Sequence, residues 1–177
     1  MSDLKTTDLA RFIRDIPDFP KKGIIFKDIT PLLRDAAGFA TTIEALAAHH
    51  RSDSIAAVAA VESRGFIFGA ALASRLSAGF IPIRKPGKLP YETHSETYAL
   101  EYGTDTIQVH RDAVSKEERV LIVDDLLATG GTARAAVNLI AKLGGVVVGT
   151  TFVIELAFLK GRSRLGDVPV FSLIRYD

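Results

Sequence analysis

The sequence predicts an α/β fold, a mainly parallel central sheet flanked by helices, with a flexible loop and hairpin as an excursion from it. Three observations predict it. Apolar runs bounded by polar residues recur at 55–61, 119–124 and 146–155, as strands buried on both faces do. Segments with apolar residues at helical spacing lie between them, and strands alternating with helices imply βαβ units with right-handed crossovers. A polar excursion, 84–110, then separates two α/β halves.

In chain order, the first segment, 8–16, places Leu9, Phe12, Ile13 and Ile16 at helical spacing, with Thr7 as a cap and Pro17 and Pro20 ending it. A short apolar stretch, 23–26, precedes Asp28-Ile29-Thr30-Pro31. A second helix is predicted over 36–50, with Phe39, Ile43, Leu46 and His50 on one side. After the 55–61 strand come the loop Glu62-Ser63-Arg64-Gly65, a helix carrying Ile67, Ala71, Leu72 and Leu76, and a strand at 79–83. The excursion opens with Pro86, Gly87 and Pro90, and its later part, 97–109, alternates like a hairpin around Gly103-Thr104-Asp105. Its first half is expected to be mobile. The 119–124 strand, a helix over 132–143 and the 146–155 strand complete the pattern.

The 177 residues fit one domain, 1–177. Apolar residues make up 47% and charged residues 24%, as in ordinary globular proteins. A net charge of +1 argues against a general nucleic-acid binder. The absence of cysteine excludes a disulfide scaffold or zinc–thiolate site. The N-terminus carries no basic segment followed by an apolar run, and no run reaches the roughly 20 residues of a bilayer span. A cytoplasmic protein without a membrane partner is expected. The four histidines show no metal-ligand spacing and are assigned no role.

The most informative string is Val120-Leu121-Ile122-Val123-Asp124-Asp125-Leu126-Leu127-Ala128-Thr129-Gly130-Gly131-Thr132-Ala133. A buried strand delivers two carboxylates to its C-terminal end, the edge where open α/β sheets bind ligands. Gly130 and Gly131 allow positive φ and close backbone approach, so successive N–H groups converge on an anion with the next helix's N-terminal dipole behind them. Thr129 and Thr132 add hydroxyl donors. Asp124 and Asp125 repel phosphate but accept from vicinal ribose hydroxyls, and their charge favours a developing ribosyl cation. The Gly-Lys-Ser/Thr of a P-loop and the G-x-G-x-x-G of a dinucleotide fold are both missing.

This string resembles the phosphoribosyl-pyrophosphate signature of the type I phosphoribosyltransferases. Pro17-Asp18-Phe19-Pro20, the block from Gly23 to Pro31, Glu62-Ser63-Arg64-Gly65-Phe66, Arg84-Lys85-Pro86-Gly87-Lys88-Leu89-Pro90, Leu100-Glu101-Tyr102-Gly103 and Phe171-Ser172-Leu173 extend the resemblance over nearly the whole chain. The Phe26 region and the Leu100 block narrow it to the adenine-using members of that family.

The resemblance implies transfer of ribose 5-phosphate from phosphoribosyl pyrophosphate to adenine in purine salvage, by a cytoplasmic homodimer using Mg²⁺. The metal would be bound through substrate oxygens, with no direct protein ligand. Asp124, Asp125, Ala128, Thr129, Gly130, Gly131 and Thr132 would hold the ribose 5-phosphate. Glu62, Ser63 and Arg64, with the basic cluster Arg84, Lys85 and Lys88, would hold pyrophosphate, and the cluster is able to reach a neighbouring subunit. Glu101 would approach the purine's imidazole edge and assist proton transfer at N7, making Glu101, Asp124 and Asp125 the catalytic set. Adenine would be read by the Ile25 carbonyl and Lys27 N–H, two residues apart on one extended edge, beside the Phe26 ring. Transferases for hypoxanthine, guanine, xanthine or orotate, and a non-catalytic nucleotide-sensing regulator of the same fold, are the alternatives.

Overall fold

The computed structural model describes residues 5–99 and 103–177. A 3₁₀ turn, Thr6–Phe12, leads into β1 (Arg14–Pro17), which pairs antiparallel with β2 (Ile25–Asp28). The helix expected over 8–16 therefore stops early. Leu9 is buried, but Ile16 stands opposite Phe26 across a ladder, and that cross-strand pairing overrides the helical spacing.

Helices α1 (Thr30–Arg34) and α2 (Ala36–His49) follow, and the Asp35 carboxylate caps α2 by accepting from Gly38 N–H at 2.7 Å. Next come β3 (Ala57–Val61), α3 (Arg64–Leu76) and β4 (Gly79–Ile83). Strands β5 (Thr93–Ala99) and β6 (Thr104–His110) form the hairpin, and then come β7 (Arg119–Leu127), α4 (Gly131–Lys142), β8 (Val146–Leu156) and β9 (Val170–Tyr176).

The central five-stranded sheet has the order β4-β3-β7-β8-β9, and every pair is parallel. Alternation along β7 divides the core. Val120 and Ile122 pack with Ala136, Leu139 and Ile140 of α4, while Leu121 and Val123 pack with Phe68 and Leu72 of α3. Phe68 and Leu72 are fully buried, each contributing about 1.5–3 kcal/mol over an exposed position. No helix among the described residues is long and apolar enough to cross a membrane.

Some boundaries and one strand differ from the sequence reading, and among them the 55–61 strand starts at Ala57 and the Glu62–Gly65 loop already opens α3 at Arg64. The hairpin ladder begins at Thr93, paired with His110, so Thr93 to Ser95 belong to a strand. Strand β7 runs past Asp124 to Leu127 because β8 continues to pair with it. The tail supplies a fifth strand, β9, which the buried-run criterion passes over because most of its residues are only partly buried.

Candidate active site

Strand β7 loses one neighbour before the other. Its ladder with β3 ends at Val123, whereas its ladder with β8 continues to Leu127. Asp124 and Asp125 lie in that interval, on the side where β3 has ended and α3 begins. Helix α3 approaches closely because residue 65 is glycine; a Cβ there would lie 2.7 Å from Asp124 Oδ1. The Glu62–Ser63 peptide that precedes α3 is cis.

Asp125 is buried, at 4% exposed. Arg64 Nε lies 2.9 Å from its Oδ2, but the angle is poor for a hydrogen bond, and this oxygen has no donor among the described residues. Asp124 Oδ1 accepts from Asp125 N–H at 2.8 Å. Burial pushes the Asp124 carboxyl well above the ordinary aspartate range, and the adjacent Asp125 charge pushes it further. Burial raises Asp125 too, against the opposing pull of Arg64. An arriving group with donors or positive charge would relieve this pair.

Beyond β7 the chain turns through Ala128, Thr129 and Gly130 into α4. Gly130 has φ +81°, and a Cβ on it would lie 2.4 Å from Gly161 O. Conversely, a Cβ on Gly161 would lie 2.2 Å from Ala128 O. The loop is thus clasped from behind by a second backbone. In front of it is a cavity of about 210 Å³ lined by Arg64 and by residues 124–133, with Phe152 as floor. Arg64, Asp124, Asp125, Ala128, Thr129, Gly130, Gly131 and Thr132, far apart in the sequence reading's two constellations, line this one space.

Glu62, Ser63 and the basic cluster do not line this cavity, and the cluster is tied instead to Glu62 and Asp105. Arg84 Nε donates to Glu62 Oε2, and its Nη1 donates to Lys88 O at 3.1 Å. Lys85 Nζ donates to Asp105 Oδ2; burial opposes its charge, but the bond to Asp105 holds its pKa above the ordinary lysine value. Lys88 is exposed. The hairpin rests on the loop through Tyr98, whose hydroxyl accepts from Thr132 Oγ1 at 3.0 Å.

The candidate base-binding residues lie apart from the 128–132 loop. Phe26 meets Phe19 edge-on at 5.2 Å and has the Arg64 guanidinium 5.1 Å from its centroid, which links β2 to the cavity. Ile25 and Lys27 line a separate apolar cavity of about 470 Å³ with Ile24, Leu156, Phe158 and Tyr176. The Lys27 side chain is committed, with Nζ 2.6 Å from Asp15 Oδ1 and 3.8 Å from the Tyr176 centroid, so its backbone is the part left for a base. Glu101 lies outside the described residues.

Three contributors escaped the sequence reading: Tyr98, Gly161, and Arg164, whose Nη1 would be 3.5 Å from a Cβ on Gly131. Only Gly161 carried a signal, as a glycine after the end of the 146–155 run.

The phosphoribosyl transferase domain model matches residues 32–174. An adenine phosphoribosyltransferase of Koribacter versatilis is 57% identical over 169 residues, 96% of this chain and 93% of its own. That of Roseiflexus sp. is 55% identical, covering 97% of this chain and 99% of its own. The crystal structure of the Thermoanaerobacter pseudethanolicus adenine phosphoribosyltransferase superposes with TM-score 0.95 at 53% identity, covering 97% of this chain and all of that one. The Saccharomyces cerevisiae enzyme, complexed with an imino-altritol bisphosphate and adenine, superposes with TM-score 0.91 at 41% identity over 95% of this chain and 97% of its own. A buried aspartate and its half-buried neighbour beside a glycine-clasped loop, on a fold and a sequence shared along nearly the whole chain, place it in the phosphoribosyl transferase family, among the adenine phosphoribosyltransferases.

Proposed function

We propose that the chain joins adenine to phosphoribosyl pyrophosphate, giving AMP and pyrophosphate, and so returns free adenine to the nucleotide pool. The observation that carries this is the single cavity in which a backbone anion site and two crowded carboxylates face each other. Ribose 5-phosphate has that polarity, with a phosphate at one end and a pair of hydroxyl donors at the other.

In this reading the bond from the anomeric carbon to pyrophosphate breaks as the bond to adenine N9 forms, through an oxocarbenium-like state. The 128–132 loop fixes the 5-phosphate, and Asp124 and Asp125 accept from the ribose hydroxyls and face the developing positive charge. Arg64 and Ser63 at the start of α3, with Glu62 orienting Arg84, and Lys85 and Lys88 meet pyrophosphate. Glu101 serves the proton at the imidazole edge.

Asp125 Oδ2, which accepts no hydrogen bond among the described residues and has only the ion pair with Arg64 beside it, also suits a cation carried in by the substrate. Mg²⁺, bound mainly by pyrophosphate and ribose oxygens, would neutralise the leaving group. Residues 84–110 act as the cover of one domain. A second copy would meet the face where Ile67 and Phe80 are 41% and 37% exposed. We place this homodimer in the cytoplasm, with no membrane or nucleic-acid partner.

Base choice follows from the β2 edge. The Ile25 carbonyl would accept from adenine's amine while Lys27 N–H donates to N1. Hypoxanthine reverses both groups and strands buried polar atoms, which is worth about 10⁴-fold or more in sites of this type. Comparing kcat/KM for adenine, hypoxanthine and guanine with phosphoribosyl pyrophosphate and Mg²⁺ tests this. Adenine should dominate, and similar values for adenine and hypoxanthine would overturn the reading.

A further inference from the structure

A hydroxyl carries one hydrogen, and Thr132 of the phosphate loop has committed its own. Thr132 Oγ1 donates to the Tyr98 hydroxyl at 3.0 Å, and Tyr98 donates onward to Asp105 Oδ2 at 3.2 Å. Asp105 also holds Lys85 Nζ, and its Oδ1 accepts from the Thr106 N–H at 2.8 Å. Tyr98 is packed onto the loop, since a Cβ on Gly131 would come within 3.2 Å of its ring. The hairpin is pinned there a second time, by Asn138 Nδ2 of α4 donating to Glu96 Oε1 at 2.8 Å.

We propose that Tyr98 is a positioning residue for the ribose 5-phosphate, acting through the Thr132 hydroxyl. This rests on reading 128–132 as the 5-phosphate site. A phosphate oxygen arriving there competes with Tyr98 for the hydrogen of Thr132. The charged acceptor prevails, because charge-assisted hydrogen bonds are about twice as strong as neutral ones. The Thr132 oxygen then has free lone pairs, and Tyr98 turns its own hydrogen onto them, because its bond to Asp105 is long and shares an oxygen already neutralised by Lys85.

The chain of bonds thereby reverses and runs from Tyr98 to Thr132 to phosphate, each donor polarising the next. Asp105 keeps Lys85 and the Thr106 amide, so no acceptor is stranded. Held from behind in this way, the Thr132 hydroxyl stays aimed at the phosphate. Without Tyr98 it is free to bond back to the loop carbonyls that precede it.

The experiment measures ribose 5-phosphate binding by calorimetry for wild type, Tyr98→Phe, Thr132→Val and the double variant, together with kcat and KM for phosphoribosyl pyrophosphate. Tyr98→Phe should weaken binding and raise KM about five-fold, the order of one neutral hydrogen bond, with kcat unchanged. In the Thr132→Val background it should cost nothing more, because its route to the phosphate is gone.

Unchanged binding in Tyr98→Phe overturns the proposal. So does an equal loss in both backgrounds, which is what a ring that merely packs would give. If Tyr98→Phe fails while Thr132→Val weakens binding, the 5-phosphate reading stands alone. If Thr132→Val binds like wild type, both fall together.

Discussion

The phosphate loop and the basic loop would both meet anions, yet they are built in opposite ways. The phosphate loop would present backbone N–H groups, with Gly130 held from behind by the Gly161 backbone and Gly131 against the Ala99 carbonyl and the Tyr98 ring. The basic loop presents side-chain cations that are already neutralised, Arg84 by Glu62 and Lys85 by Asp105. The backbone of the first site is set before any anion arrives, although its Thr132 hydroxyl still has a bond to exchange. The second must exchange partners before it works, which suits a group that leaves over one that stays.

That contrast is broken most severely at the clasp. Gly161→Ala puts a methyl group 2.2 Å from Ala128 O, and backbone cannot rotate aside as a side chain can. Misplacing positioned groups by about 1 Å can cost 10²-fold, so turnover should fall about a hundredfold with a lowered melting temperature. Steady-state rates and thermal unfolding check both.

Asp124→Asn and Asp125→Asn sharpen it, separating chemistry from fold. Each should lower kcat by roughly a hundredfold, the size of losses when one electrostatic contact to a transition state is removed. Stability should hold or rise. Both carboxyls titrate above their ordinary value, so each opposes the fold as pH rises through that value, and the amide removes this opposition at neutral pH. Near-normal turnover in both variants would remove them from the catalytic set.

For the basic loop the expected effect is on motion. Amides of residues 85–92 should exchange quickly in the free protein and slow when substrate and Mg²⁺ are added, while the Gly131–Lys142 helix stays protected throughout. Equal protection of 85–92 in both states would mean the loop is no lid.

The smallest effect lies away from both loops. His50 is buried, with Nδ1 2.7 Å from Asp53 Oδ2 and its other nitrogen on the Thr151 hydroxyl. Burial lowers its pKa below the usual histidine value, against the pull of Asp53. Its contribution is therefore complete above about pH 6.5 and is lost as pH falls below that. Melting temperatures between pH 7.5 and 5.5 should fall more steeply for wild type than for His50→Gln.

The long buried strands and the helices behind them were legible because both faces are covered, which leaves an uninterrupted apolar run. The Asp124 to Thr132 loop was legible because closely approaching backbone demands glycine. Ile16 misled because isoleucine three residues beyond Ile13 reads as helix, and only its partner Phe26 shows it to be a strand. The separation of Ile25 and Lys27 from the cavity at Asp124 to Ala133, and the seating of Tyr98 on Thr132, depend on how distant segments pack and have no periodic signature. The fit of Gly161 against Gly130 is of the same kind.

The end of β4 has a consequence for how this molecule meets others. Gly79 and Ile83 bond inward to the β3 side, to Ala56 O and from Glu62 N–H, so Phe80, Pro82 and Arg84 point outward. Pro82 has no N–H to offer, and Arg84 already exchanges both its backbone bonds with Gln108. Only Phe80 is left with a donor on that rim. A foreign strand finds little ladder to extend there, so association across this side is left mainly to side-chain fit, and this edge is a poor template for aggregation.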